Sequence, residues 1–297
     1  MIYHSQEFSD FERCAKLPQI KKKWEPDRWP VREAVKQKFY SSLLRDPEEV
    51  ADEFLYEAGA RGYEYPEGEP YELAKDYASW LDGALRLVRE DTMLSPISNY
   101  FWGTTQFELV GYVSGQVNIV RIVHELGDHH LRWPEIIALG LGDSEVVIHQ
   151  YKLPSVRKRR LASPLSLAYQ QPMTGGYRLA KRDGETISFG PNWKRLGRWE
   201  IPEVPWQEWR EGIDRDRCLP AIKETYSVTP FEDSDKRRLL NDIEHIMASM
   251  SKVTHPRKWE ACETCIFKPV CHGNKHGFHR KTMQRAVRKR EADLVLQ

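Results

Sequence analysis

Long apolar runs are missing from this sequence. No stretch approaches the ~18–20 residues that a membrane-spanning helix needs. Cysteine is scarce, with five in 297 residues. The odd number, and the crowding of three into positions 262–271, argue against the spread, paired framework of a secreted protein. Met1 to Lys23 is polar and charged and lacks the apolar core of a signal peptide, so the expected location is cytoplasmic. An excess of one charge is lacking too. Forty-five Lys and Arg against 44 Asp and Glu leave a net charge of +1, which excludes a globally basic protein. No fixed-period repeat is present, which excludes a solenoid.

What remains is a soluble globular composition, 40% hydrophobic and 30% charged, long enough to bury a sizeable core. The first 95 residues read as mostly helical. Ser9-Asp10-Phe11-Glu12 has the form of a capping box, predicting a short helix from Ser9 that carries Cys14. Asp46-Pro47 opens a helix through Ala58, and Tyr71–Glu90 repeats apolar residues at helical spacing. Beyond Pro96, four β-rich runs predict a small, largely antiparallel sheet: Phe107–Val113, Val117–Val123, Glu135–Leu139 and Glu145–Tyr151. Gly142-Asp143-Ser144 reads as the turn joining the last two. Tyr177–Phe189 reads as a hairpin around Arg182-Asp183-Gly184, and Phe231–Met250 is the clearest helix. Helices, then a sheet, then helices again predict an α/β or α+β fold with one central mixed sheet flanked by helices. It forms a single domain over 1–297, with parts 1–95, 96–190, 191–250 and 251–297.

The densest chemical signal is Cys262-Glu263-Thr264-Cys265-Ile266-Phe267-Lys268-Pro269-Val270-Cys271. Cys262-x2-Cys265 places two thiols on one turn, and Cys271 follows after five residues with Pro269 bending the chain back. Three ligands so close call for a fourth, because tetrahedral zinc and cubane iron–sulfur sites both take four. The candidates are Cys14, Cys218, His272 and His276. Zinc completed by either histidine is one solution and an iron–sulfur cluster is the other.

Two segments also resemble a known family. Ser9-Asp10-Phe11-Glu12-Arg13-Cys14 near one end pairs with Trp259 and the motif Cys262-x2-Cys265-Ile266-Phe267-x3-Cys271 near the other. Together they are similar to the iron–sulfur branch of the PD-(D/E)XK nucleases. That branch includes the CRISPR-associated exonuclease family, AddAB-type nuclease domains and phage relatives. The resemblance covers the two ends of the chain and only loosely the middle. It implies a PD-(D/E)XK nuclease-like core, and a 4Fe–4S cluster held by Cys14, Cys262, Cys265 and Cys271 that staples the two ends.

The family's chemistry is metal-assisted phosphodiester hydrolysis, in which carboxylates hold Mg²⁺ or Mn²⁺ beside a lysine. Here the matching triplet is Gln150-x-Lys152 on the strand Glu145–Lys152, and Ser114 stands where the preceding strand should end in aspartate. The upstream helix region, Val31–Leu44, has no histidine, and the glutamine expected beyond the lysine is at best Tyr169-Gln170-Gln171. The resemblance therefore implies a degenerate site, acting as a DNA-processing subunit. The alternatives are a deoxyribonuclease using Gln150 and Lys152, and a zinc-stabilised interaction protein. DNA is the expected partner, with a protein partner in a DNA-processing complex beside it, and three local basic runs would meet the phosphates. The runs are Lys21–Lys23, Arg157-Lys158-Arg159-Arg160 next to Lys152, and Lys275–Arg290. Trp193, Trp199, Trp206 and Trp209 offer base-stacking surfaces for single strands. His124-Glu125-Leu126-Gly127-Asp128-His129 is one residue too long for an HExxH zinc motif, since the second imidazole falls at i+5.

Overall fold

The computed structural model describes residues 2–26, 29–61, 70–90, 99–102, 105–108, 111–113, 116–127, 130–153, 177–178, 188–189, 193–201, 221–251, 262, 265–273 and 278–280. Its centre is a five-stranded mixed sheet. In chain order the strands are β5 (Gly111–Val113), β6 (Val117–Val123), β7 (Val146–Lys152), β10 (Trp193–Ile201) and β11 (Ala221–Val228). In space they run β10-β11-β7-β6-β5. β6 and β7 are parallel and every other neighbouring pair is antiparallel. The expected mixed sheet is present, but at its centre Val117–Val123 and Val146–Lys152 pair in parallel, where the sequence predicts a largely antiparallel block.

The parallel pair explains a second difference. A parallel connection needs a crossover, here a helix. The run read as a strand, Glu135–Leu139, is helix α6, Trp133–Leu141. Pro134 lies in its first turn, and Glu135 turns back to accept from the Arg132 backbone N–H at 2.7 Å. Those two cues outweigh the β-branched composition of the interior. Gly142-Asp143-Ser144 joins this helix to β7 and does not join two strands.

Side-chain alternation sorts the core onto the two faces. Val120, Ile122, Tyr151, Leu153 and Ala221 face helices α3 (Val31–Ser41), α4 (Pro47–Arg61) and α5 (Pro70–Arg89) in one buried cluster. Phe39 lies 5.8 Å from Trp80 and 5.1 Å from Tyr151, ring centre to ring centre. Val117, Ile119, Val146, Ile148 and Val228 face α1 (Ser5–Arg13), α6 and α7 (Asp233–Met250) in the second cluster. The sheet is thus flanked by helices on both sides. α4 opens as expected, with Asp46 Oδ1 accepting from the backbone N–H of Glu48 at 3.1 Å. α1 begins earlier than expected, at Ser5. Glu7 accepts from the His4 N–H at 3.2 Å, so Ser9 lies inside the helix and Cys14 just past its end.

Four smaller features complete the architecture. The run Phe107–Val113 divides between β4 (Thr105–Glu108) and β5, which lie in different sheets. β4 pairs with β1 (Ile2–His4) and β3 (Asn99–Trp102). β8 (Tyr177–Arg178) and β9 (Ser188–Phe189) form the expected hairpin pairing. β2 (Trp24–Pro26) pairs antiparallel with β12 (Phe278–Arg280), with Arg280 opposite Trp24.

Where α6 crosses α7, glycine is required by space. A Cβ on Gly140 would overlap the fully buried side chain of Leu239. Alanine gains about 1 kcal/mol of helix propensity over glycine, but overpacking a core costs about 1–3 kcal/mol. Gly140→Ala is therefore expected to lower the urea midpoint, and an unchanged or raised midpoint would show that Leu239 can swing aside.

Candidate functional site

Two places gather chemistry-bearing side chains. The first is built on α2 (Leu17–Lys23) and the short helix α8 (Lys268–Cys271). Leu17, Ile20 and Phe267 form a small buried cluster, and Cys14, Cys265 and Cys271 pack against it together with Trp24, Trp29 and Ile266. Backbone turns set the cysteine spacing. The N–H of Cys265 donates to the Cys262 carbonyl at 3.3 Å and that of Cys271 to Phe267 at 3.0 Å. The Cys14 N–H caps α1 on Asp10 at 2.9 Å. Cys262 is buried and the other three are partly so, and none of the four is in a disulfide.

Burial pushes the Cys265 thiol above its ordinary pKa. The Phe267 N–H and Arg13 oppose that, while Cys262 and Cys14 raise it further. Cys265 therefore lies within electrostatic reach of one thiol beside it in sequence and one from the far end of the chain. Among the described residues, no group of three or more His, Cys, Asp or Glu side chains is placed to hold a metal ion. The candidate donors are nonetheless all sulfur, with Cys14, Cys265 and Cys271 beside one apolar plug, and Cys262 and Cys14 disfavour a thiolate at Cys265. A bound cationic centre relieves that cost. This chemistry fits an iron–sulfur cluster or zinc. His272 is exposed next to Cys271, while Cys218 and His276 lie outside the described residues.

The second place is the carboxyl end of the parallel pair, where ligands sit in open α/β sheets. Lys152 ends β7 opposite Val123, and Trp80 of α5 donates its indole N–H to the Lys152 carbonyl at 2.8 Å. The Lys152 side chain is half-buried and forms no ion pair among the described residues. Gln150 is fully buried, its side-chain Oε1 accepting from the Gly127 N–H at 3.3 Å. Ser114, Asp128, Gln170, Gln171 and the run Arg157–Arg160 lie outside the described residues, as do Trp206 and Trp209.

Gln150 sits in a buried polar row that composition alone does not reveal. Its register neighbours are Arg121 on β6 and Glu224 on β11. Arg121 donates to the His130 carbonyl at 2.7 Å and lies 3.4 Å from Glu135, with both side chains almost wholly buried. Its guanidinium also stands 5.3 Å from the centre of the Trp193 ring. Glu224 accepts from the Tyr226 hydroxyl and faces Arg195 at 3.5 Å and Arg198 at 3.7 Å. Burial and then Glu224 push the Tyr226 phenol up to about 12. β11 as a whole escapes a sequence reading, because the adjacent Lys223-Glu224 interrupts its run of β-branched and aromatic residues. The β-branched and aromatic residues Ile222, Thr225, Tyr226 and Val228 were its available signal.

The basic and aromatic surfaces divide. In the first basic run, Lys21 is bound to Asp10 at 2.8 Å and Lys22 to Glu7 at 2.7 Å, so both clamp α2 to α1. Trp199 is 41% exposed at the outer strand β10, with the Lys223 ammonium 4.8 Å from its ring centre. Trp193 packs edge-on against Tyr226. No protein-family model matches the chain, and no curated protein or solved structure matches it either.

Proposed function

We propose that the chain is a nucleic-acid-binding protein of the PD-(D/E)XK nuclease-like type. In this reading Cys14, Cys262, Cys265 and Cys271 hold a structural 4Fe–4S cluster, and the protein serves as a DNA-processing subunit with a degenerate catalytic site. The observation that carries the reading is the packing of Cys14 with Cys265 and Cys271 around Phe267. The cluster supplies a rigid covalent tie between the two chain ends when bound. The protein's own part is to shelter the thiols behind Phe267, Trp24 and Trp29, and to hold α8 against α2.

Anaerobic purification tests this directly. A brown protein with a broad band near ~400–420 nm, carrying iron and sulfide, is expected. A colourless protein with stoichiometric zinc removes the cluster and leaves the zinc-stabilised alternative.

One observation favours an active site as the second reading. Glu224 stands beside Gln150 and supplies, from an unexpected strand, a carboxylate near Lys152. It is held by Tyr226, Arg195 and Arg198, which compete with a hard metal ion for its oxygens. Weak or no cleavage of labelled single- and double-stranded DNA with Mg²⁺ or Mn²⁺ is expected. Robust cleavage that falls by about 10²-fold or more in Lys152→Ala and Glu224→Gln would establish the enzyme and overturn the degenerate reading.

A further inference from the structure

Above β6, three cations from two separate segments surround one imidazole. His124 immediately follows the strand. Arg32, in the first turn of α3, lays its Nη2 against both ring nitrogens, 3.0 Å from Nε2. Lys36 lies one turn further along the same helix, and Arg132 approaches from the segment before α6, donating to the Ile122 carbonyl at 3.1 Å. The carboxylate in this group is Glu33, and it is bound to Lys36 at 3.0 Å. Glu135 turns away to the Arg132 backbone and to Arg121. Neither Arg32 nor the Arg132 guanidinium has a carboxylate partner among the described residues, and Arg32 Nε is buried without a hydrogen-bond acceptor.

Packing an arginine onto a histidine with no anion between them is unfavourable unless the histidine stays neutral. Burial, then Arg32, Lys36 and Arg132, hold His124 down at about 4, and Glu33 only partly opposes them. At neutral pH the group therefore carries three positive charges against one negative. It lies at the carboxyl end of the β6–β7 pair, where Leu153 N–H bonds the Val123 carbonyl at 2.8 Å. An acceptor-rich dianion or diester suits it: guanidinium forks bind phosphate oxygens in pairs, and an ammonium adds a point charge.

We propose that Arg32, Lys36 and Arg132 form a phosphate-binding niche around His124, and that a backbone phosphodiester of the bound nucleic acid occupies it. The choice of a nucleic acid as the source rests on the function proposed above; the preference for phosphate does not. None of its three cations belongs to a basic run of the sequence. The niche would hold the strand by its backbone and read no sequence.

The test uses the full chain and two probes. With a short single-stranded oligodeoxynucleotide, Arg32→Gln and Lys36→Gln should each weaken binding several-fold, and each should lower the salt slope of log K by about one. Arg45→Gln, an equal charge change at a distant exposed site, should leave the slope unaltered. With inorganic phosphate, the His124 imidazole signals should shift in the NMR spectrum and its pKa should rise from about 4, since an anion favours the charged ring. Both responses should vanish in Arg32→Gln and in Lys36→Gln, so a single poorly folded variant does not decide the matter. Oligonucleotide binding that is undiminished in both variants, with His124 unmoved by either probe, overturns the niche and leaves nucleic-acid binding intact. A His124 response to phosphate without oligonucleotide binding supports the niche and removes the nucleic acid as its source.

Discussion

If Cys14 is a ligand of the proposed cluster, Cys14→Ser is expected to empty it and to loosen the packing of α2 against α8. Iron content should fall from about four per chain to near zero, because three thiolates at Cys262, Cys265 and Cys271 leave a cubane with an open corner. Small zinc domains owe about 10–16 kcal/mol to their metal. This chain has two cores of its own, on either face of the sheet, and should depend on the proposed cluster less. A loss on the order of 3–5 kcal/mol is expected, or roughly 6–20 °C in melting midpoint at about 2–4 °C per kcal/mol. Cys218→Ser serves as the control and should keep its iron. If Cys14→Ser retains its full metal content and Cys218→Ser does not, the ligand set is wrong. If neither changes while His272→Ala bleaches the centre, the histidine alternative is correct.

The second large effect concerns the buried ion pair. Arg121→Met should destabilise the fold by about 3–5 kcal/mol, since it strands Glu135 as a buried, uncompensated charge. The guanidinium also serves the His130 carbonyl and faces the Trp193 ring, so its removal loses more than one contact. Adding Glu135→Leu should recover most of that loss, because the desolvation penalty disappears with the charge. Recovery will be incomplete by about 0.5–2 kcal/mol, as Glu135 also accepts from the Arg132 N–H at the start of α6. Urea titrations of the two single variants and the double variant close the cycle. Arg121→Met costing under about 1 kcal/mol would mean that Glu135 takes up a proton or reaches water at little cost.

Local signals were legible where one face of a helix met water. α4, α5 and α7 carry their stripes and caps openly, and the hairpin of β8 and β9 was readable from Arg182-Asp183-Gly184. α6 hid because it is buried nearly all round. From Glu135 to Gly140 every residue is buried, so no polar face marks a helical period. β11 hid for the opposite reason. Its interior pairs Lys223 and Glu224 with Tyr151 and Gln150, and burying charge on a central strand is something composition argues against.

The cysteine motif was visible from spacing alone, whereas Glu224 and the Arg32, Lys36 and Arg132 group came into view only once strand register and helix placement were known. They lie on separate segments that share no motif. The distance between what spacing shows and what register shows is largest around Lys152. The triplet was found, and its neighbours were not.

The pairing of β2 with β12 also bears on the order of events during synthesis. At about 5–20 residues per second, the roughly 250 residues between Cys14 and Cys265 take on the order of 12–50 s to emerge. Helices α3 to α5 and the β6–β7 pair can dock in that interval, but the ribbon and the thiol centre cannot. For that time Leu17 and Ile20 are apolar without their cover, and Cys14 is open to oxidants. The nascent chain is therefore most vulnerable around Cys14, Leu17 and Ile20, and a product released before Phe267 is made has its core built and its clasp missing.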